Sequence, residues 1–294
     1  MAGEVPIAWH ASRKRYCLTL RGQDCLLGAR TWVMGVLNVT PDSFFDGGCH
    51  FDTQAAVAHG LAMFAAGADV VDVGGESTRP GGAARVDVPT ELDRVVPVVR
   101  ALRERSSGWI SVDTTKAAVA QAALDAGADM INDVSALRFD SEMAPLAARR
   151  DVPVVLMHSR GSFDELHGPP HYGDVAGEIA TELREALTRA EQARIRTSQI
   201  LLDPGIGFAK EAAHSLEALR RLDELAALDR PLLVGPSRKS FIGKTLARPV
   251  GERLMGTAAA VAAAVLGGAH VVRVHDVEAM LDVVRLCDAM LGQA

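Results

Sequence analysis

The stretch AGADVVDVGGES, residues 66–77, decides the fold. Gly67 follows a helical run, a short turn comes next, and VVDV is a buried strand that gives way to glycine and the polar Glu76 and Ser77. The same grammar returns in AGADMIND (126–133), which ends at Asn132 and Asp133, and in GGAHVVRV (267–274), which delivers Arg273 and His275. Working outward, five more apolar runs stop at a residue able to do chemistry. TWVMGVLN (31–38) stops at Asn38, WISVD (109–113) at Asp113, VPVVLMH (152–158) at His158, QILLD (199–203) at Asp203 and PLLVGPSRK (231–239) at Lys239. Short apolar strands alternating with helix-length stretches make a parallel sheet. About eight such units close into a (β/α)8 TIM barrel whose strand C-termini share one rim. One polar strand end is an ordinary solvent cap. Polar ends on all of them describe a single site, assembled from around a ring.

The 294 residues suffice for one such barrel and little more, and a hydrophobic share of 48% supplies its core. Aromatics are only 4%, so Ala, Val, Leu and Gly do the packing, as barrel layers prefer. No linker or low-complexity stretch divides the chain, and residues 1–294 read as one domain. Its first 30 residues are an extension. YCLTL (16–20) and CLLGARTWV (25–33), joined by RGQD, read as a β-hairpin that runs into the first barrel strand and plugs the barrel floor. Helices are expected over Asp52–Ala66, Pro89–Arg105, Thr115–Ala126, Ser141–Arg149, Val175–Arg194, Ser215–Ala227, Gly251–Leu266 and Val277–Leu291.

A net charge of −6 argues against a nucleic-acid partner. It leaves room for a phosphorylated substrate, because Arg79, Lys116, Arg238, Lys239 and Arg273 gather at the strand ends. Cys17, Cys25, Cys49 and Cys287 form no C-x-x-C pair or zinc-spaced cluster, which fits a reduced, cytoplasmic protein. No apolar run follows Arg13–Arg15 as a signal peptide requires, and the longest apolar stretch, 256–269, is too short to cross a bilayer. Two connections on the strand-end side are long for a βα joint and rich in Gly and Pro: TPDSFFDGGCHF (40–51) and GGESTRPGGAARVDVP (74–89). Loops that close over an active site have this composition. A third, SRGSFDELHGPPHYGD (159–174), reads as a surface excursion.

Eight motifs stand in order: MGVLNVTPDSFFDGG (34–48), DVGGESTRPG (72–81), SVDTTK (111–116), INDVS (131–135), LMH (156–158), LDPGIGFAK (202–210), GPSRKSFIG (235–243) and RVHDV (273–277). Each alone is weak. Together, at βα spacing, they closely resemble the dihydropteroate synthases, folate-pathway enzymes inhibited by sulfonamides. The resemblance runs from about residue 32 to the C-terminus. It implies a transferase that joins 6-hydroxymethyl-7,8-dihydropterin diphosphate to 4-aminobenzoate by an SN1-like route and releases diphosphate. It also implies a magnesium ion and a homodimer. The helix RLMGTAAAVAAAVLGG (253–268), apolar nearly all round, fits either a dimer face or tight packing on the barrel.

The residues suit that chemistry in their own right. A pterin is flat, with a guanidine-like edge whose N–H donors want an ionised carboxylate. Asp113 and Asp203 supply carboxylates, Asn132 can donate and accept, and Lys239 can donate to a ring carbonyl or nitrogen. Arg273 can stack on the pterin face, and Met157 offers a soft apolar contact. By resemblance these are the pterin positions, and Asp46, Lys239 and Arg273 are the catalytic ones. Asp46 is the carboxylate near the cation left when diphosphate departs. Resemblance places magnesium at Asn38 and diphosphate at Asn38, Arg273 and His275, though His275 alone is equally well read as structural. The 4-aminobenzoate positions are Phe44, Thr78, Arg79, Pro80, Phe208, Lys239 and Ser240. Phe45 departs from the serine common at that place in the family.

Three rival readings compete with this one. A methyltetrahydrofolate–corrinoid methyltransferase would share the pterin grip but lack the TPDSF and STRPG loops. A pterin-binding paralogue without turnover would not need Asn38, Asp46, Arg79, Lys239, Arg273 and His275 together. A sugar-phosphate aldolase would need a Schiff-base lysine inside the barrel, and only Lys239 speaks for one.

Overall fold

The computed structural model describes residues 13–40, 53–77, 85–163 and 171–293. The first elements are an antiparallel hairpin, β1 (Tyr16–Leu20) and β2 (Gln23–Leu27). Its turn is only two residues, Arg21 and Gly22, both at positive φ (48° and 72°). That backbone matches the twist of hairpin strands. Sequence reading took all of RGQD as the turn and ran the second strand on into the barrel. Instead Gln23 and Asp24 pair with Leu20 and Thr19, and β2 stops at Leu27. Gly28 makes the break. It sits at φ 93°, and a Cβ there would meet the Lys14 carbonyl oxygen at 2.4 Å.

Eight parallel strands follow: β3 (Trp32–Asn38), β4 (Val70–Gly74), β5 (Trp109–Asp113), β6 (Met130–Asp133), β7 (Val154–Met157), β8 (Ile200–Asp203), β9 (Leu233–Val234) and β10 (Val271–Val274). They pair in the order β8-β7-β6-β5-β4-β3-β10-β9, and a parallel bridge between Leu202 and Leu232 closes the ring. The helices between them are α1 (Thr53–Ala66), α2 (Val88–Arg105), α3 (Ala117–Ala126), α4 (Met143–Arg150), α5 (Val175–Gln192), α6 (Ala212–Arg220), α7 (Ser240–Leu246), α8 (Leu254–Leu266) and α9 (Val277–Met290). This is the expected TIM barrel with its N-terminal hairpin.

Two helical stretches differ from expectation. The helix read over 215–227 starts earlier, at Ala212, ends at Arg220 and gives way to a 3-10 segment, Leu222–Leu228. Leu222, Leu225 and Leu228 are its buried residues, a spacing of three that suits three residues per turn and not 3.6. The helix read from Gly251 starts at Leu254, and α7 is a separate helix before it. Among the described residues no helix is long and apolar enough to cross a membrane.

Side chains of a strand alternate between its two faces. Val33, Leu37, Val71, Val73, Ile110, Val112, Ile131, Val154, Leu156, Ile200, Leu202, Val272 and Val274 belong to the larger core shared with the helices. The alternate positions face the barrel interior. In its lower half these are Met34, Val70, Met130, Val155, Leu201, Leu233 and Val271, which cluster with Leu18, Leu20 and Leu27 of the hairpin. The hairpin is therefore the barrel floor. Gln199 fixes it there, accepting from the Thr19 backbone N–H (3.1 Å) and donating to the Thr19 carbonyl (3.0 Å). Burying each leucine is worth roughly 1.5–3 kcal/mol. Two residues further along β4, β6, β8 and β10, the interior turns polar.

Candidate active site

The same period of two selects the site. From Val70, Met130, Val155, Leu201 and Val271 at the inner layer, a step of two residues reaches Asp72, Asn132, Met157, Asp203 and Arg273. From Trp109 on β5, two such steps reach Asp113. These side chains thus converge on the upper interior, above an apolar floor.

Arg273 sits at the centre. Its Nε donates to Asp72 Oδ2 and its Nη2 to Asp113 Oδ2, each at 2.6 Å. Asn132 Nδ2 donates to the same Asp72 oxygen at 2.9 Å. Asp203 Oδ1 accepts from the backbone N–H of Gly205 at 2.7 Å. Lys239 Nζ donates to the Ile206 carbonyl and lies over the Phe208 ring, 4.7 Å from its centroid. Phe208 packs with Met157 and Val134. Three carboxylates thus share two cations, with Asp72 and Asp203 buried and Asp113, Lys239 and Arg273 partly exposed toward the rim.

Burial governs the charges. It pushes the Asp113 carboxyl up to about 7, against the pull of Arg273. It raises Asp203 too, opposed by Lys239 and by the Gly205 N–H. The Lys239 ammonium is pushed down to about 8, with Asp203 resisting. Burial also works against the Arg273 charge, but Asp72 and Asp113 outweigh it and raise the guanidinium above its ordinary value. The cluster has one acidic group more than basic ones, so it suits a ligand edge made of N–H donors.

Three of the other expected site residues, Asn38, His275 and Ser240, lie at or beyond the C-terminal ends of their strands. Asn38 ends β3 opposite Gly74 and shares the interior parity of Met34 and Val36. His275, two past Arg273, has its Nδ1 3.0 Å from Ser237 Oγ, and its backbone N–H donates to the same oxygen at 3.2 Å. Ser240 opens α7 and is exposed. Phe44, Phe45, Asp46, Thr78, Arg79 and Pro80 lie outside the described residues.

Several strand-end residues stand apart from the centre. Asp133 faces outward and accepts from the backbone N–H groups of Ser135 (2.8 Å) and Leu137 (2.7 Å), so it shapes a loop. His158 also follows the outward parity and meets Lys210 Nζ at 2.8 Å. Arg238 pairs with Asp276. Lys116 is buried between Glu91 and Glu76, at 3.0 Å from the latter. Glu76 also accepts from the Val86 N–H at 2.5 Å, which ties the two ends of the second long connection together.

Sequence reading gave no role to Asp72, the most buried acid of the cluster. Its signal was present: a charged residue at an alternate position of the apolar run VVDV. Such a residue must find partners inside the barrel. Ser237, the partner of His275, carried no comparable signal.

Among the described residues no group of three or more His, Cys, Asp or Glu is placed to hold a metal ion. A protein cage is therefore not what they build. A single hard amide oxygen, that of Asn38 at the end of β3, fits magnesium that takes its remaining ligands from phosphate oxygens and water.

Residues 34–275 match the family described as pterin binding enzyme. The dihydropteroate synthase of Synechocystis is 47% identical over 264 residues, covering 90% of this chain and 91% of that one. The Xanthomonas albilineans dihydropteroate synthase structure with 4-aminobenzoic acid superposes with a TM-score of 0.87 at 44% identity, over 94% of this chain and 98% of that one. The Yersinia pestis dihydropteroate synthase in complex with a sulfonamide drug gives 0.87 at 43% identity, over 95% and 100%. Fold, interior cluster and similarity along nearly the whole length agree: the chain belongs to the pterin binding enzyme family, among its dihydropteroate synthases.

Proposed function

We propose that this protein condenses 6-hydroxymethyl-7,8-dihydropterin diphosphate with 4-aminobenzoate to give 7,8-dihydropteroate and diphosphate, a step of folate biosynthesis. The observation that carries this reading is the convergence of Asp72, Asp113, Asn132, Asp203, Lys239 and Arg273 inside one barrel mouth. Asp203 and Asp113 accept from the guanidine-like edge of the pterin. Asn132 serves the mixed part of that edge, and Lys239 donates to the ring carbonyl or nitrogen. Met157 lines the ring, and Arg273, held by two carboxylates, presents a flat face to it.

The reaction breaks a C–O bond and makes a C–N bond at the pterin methylene. Diphosphate leaves with the bonding pair, and Asn38, Arg273 and His275 hold its oxygens. Magnesium, when bound at Asn38 and the phosphates, would supply positive charge to the leaving group. The methylene cation that remains is stabilised by the pterin ring and by a carboxylate placed near it, the role assigned to Asp46. The neutral amine of 4-aminobenzoate then attacks, and the proton it loses as the C–N bond forms passes to the departing diphosphate, so no strong base is needed. Phe208 and Lys239 flank its ring, with Phe44, Thr78, Arg79 and Pro80 completing the pocket. Ser240, at the start of α7, donates to its carboxylate.

The protein is expected to act as a homodimer in the cytoplasm. Leu246, Val250, Leu254, Met255, Leu286 and Met290 of α7–α9 and their connections leave large apolar side chains exposed, Met255 at 79%. Exposed apolar surface of that kind suits a subunit interface. The test of function is release of diphosphate by the purified protein. It should require both substrates, and release without 4-aminobenzoate would sink the reading.

A further inference from the structure

Lys210 is buried, yet the proposed reaction gives it no work. It ends the segment DPGIGFAK (203–210), which turns back on itself at the rim. Gly205 lies at φ 65° against β7, where a Cβ would meet the His158 carbonyl oxygen at 1.9 Å. The Phe208 N–H closes the turn on the Gly205 carbonyl at 3.0 Å. The Lys210 ammonium reaches under this turn. It donates to the carbonyls of Gly205 (3.1 Å) and Phe208 (3.2 Å) and lies 2.8 Å from His158 Nδ1. An ammonium has three donors and no acceptor. With the ammonium charged, all three are used and Nδ1 of His158 is the acceptor. The imidazole then carries its proton on Nε2, which faces Glu182 Oε2 at 3.1 Å. Glu182 is held in turn by Arg160 Nε at 2.9 Å.

We propose that Lys210 is a positioning residue that fixes the Phe208 ring where 4-aminobenzoate lies. This rests on the placement of that substrate beside Phe208. The chain Arg160–Glu182–His158–Lys210 anchors the turn to α5 and β7, so the ring is set by the frame of the barrel. The pterin side of the same turn has two clamps of its own, Asp203 with the Gly205 N–H and Lys239 with the Ile206 carbonyl. Burial pushes the Lys210 ammonium down to about 7, with Asp203 opposing. A charge held at that cost is consistent with a constraint the turn needs.

The test is steady-state kinetics of Lys210→Met, each substrate varied with the other saturating. The KM for 4-aminobenzoate should rise about tenfold or more while that for the pterin diphosphate moves less than about threefold. Two unchanged KM values, or two that rise together, would overturn the proposal. If Lys210→Met does not fold, His158→Ala removes one of the three ammonium partners. It should show the same split at about threefold, and equal KM changes overturn the proposal there as well. A wild-type protein without turnover would instead sink the functional reading. The place of Phe208 is then read directly from 19F spectra of fluorophenylalanine-labelled protein, its line assigned by Phe208→Leu. That line should shift in Lys210→Met, and an unmoved line would refute the positioning role.

Discussion

Arg273 on β10 and Asp72 on β4 are bonded past the strand that separates them. Nε donates to Oδ2 at 2.6 Å across β3, and Asp72 is wholly shut off from solvent. The pair ties the last strand of the ring to the second and anchors the guanidinium at the middle of the cluster. Since Asp72 also accepts from Asn132, one carboxylate sets the orientation of two groups assigned to the pterin.

Removing that carboxylate should be costly. Asp72→Ala leaves Arg273 with Asp113 alone and strips Asn132 of its acceptor. Breaking a buried pair by deleting one partner costs about 3–5 kcal/mol. The surviving Asp113 bond puts the expected loss near the lower end. Urea unfolding measures it, and a loss below about 1 kcal/mol would show that Asp72 contributes little to holding the guanidinium.

Asp203 is expected to matter for ligand rather than fold. Its Oδ1 takes the Gly205 N–H, leaving Oδ2 for the pterin edge. Asp203→Asn turns one acceptor into a donor, and a charged hydrogen bond is worth about 1.5–3 kcal/mol. Pterin affinity should fall roughly ten- to a hundred-fold. Calorimetry with a pterin analogue decides, and unchanged affinity in a folded variant would remove Asp203 from the site.

The same burial predicts a narrow pH optimum for pterin binding. As pH falls through about 7, Asp113 takes up a proton and ceases to be a full acceptor. As pH rises through about 8, Lys239 gives up its charge. Affinity should peak between these values, and Asp113→Asn should flatten the acid limb while leaving the alkaline one. For stability the sign is opposite on the acid side. Asp113 titrates near 3.8 when unfolded and about 7 when folded, so its contribution is full below the lower value and is lost as pH climbs to the upper one. A flat affinity profile across this range would contradict the assignment of both groups.

Much of this was legible because a parallel barrel imposes two rules on sequence. Apolar runs must end at a common rim, which put Asn38, Asp113 and Asp203 at strand ends and Lys239 shortly beyond one. Alternation must sort the residues near each end between the two faces, and there inspection of strand ends alone fell short. Asp133 and His158 end their strands as visibly as Asn132 and Met157, yet odd and even positions send them to opposite faces. Asp72 lies two residues inside its strand and so escaped a search of ends. The hairpin register and the 3-10 segment after α6 depend on the left-handed backbone of Arg21 and on a three-residue leucine stripe, which a helical period blurs.

The magnesium proposed at Asn38 makes turnover metal-dependent in a testable way. If Asn38 is the one protein oxygen at magnesium, the ion binds firmly only with the substrate phosphates. A chelator should stop turnover and magnesium restore it. Asn38→Ala should lower turnover at saturating substrate more than it lowers pterin affinity. Full activity in the presence of excess chelator would rule out the metal.

Inhibition should show an order. The pocket proposed for 4-aminobenzoate has one wall on the described rim, with Phe208 held by the turn above Lys210 and Lys239 laid across it. Its other residues, Phe44 and Thr78, Arg79 and Pro80, belong to two long connections, the second of which is clipped at its base by Glu76 to the Val86 N–H. The charges of Asp46 and Arg79 in those connections are expected to respond to bound diphosphate and magnesium. Binding of the first ligand then completes the second site, a positive coupling that must act in both directions. A sulfonamide, as a mimic of 4-aminobenzoate, should bind measurably only with magnesium, diphosphate and a pterin present, or with the pterin diphosphate itself. By reciprocity, the sulfonamide should tighten the pterin by the same factor. Titration of a sulfonamide into the protein with and without those ligands gives the answer, and equal affinity in the two arms would show a pocket complete from the outset.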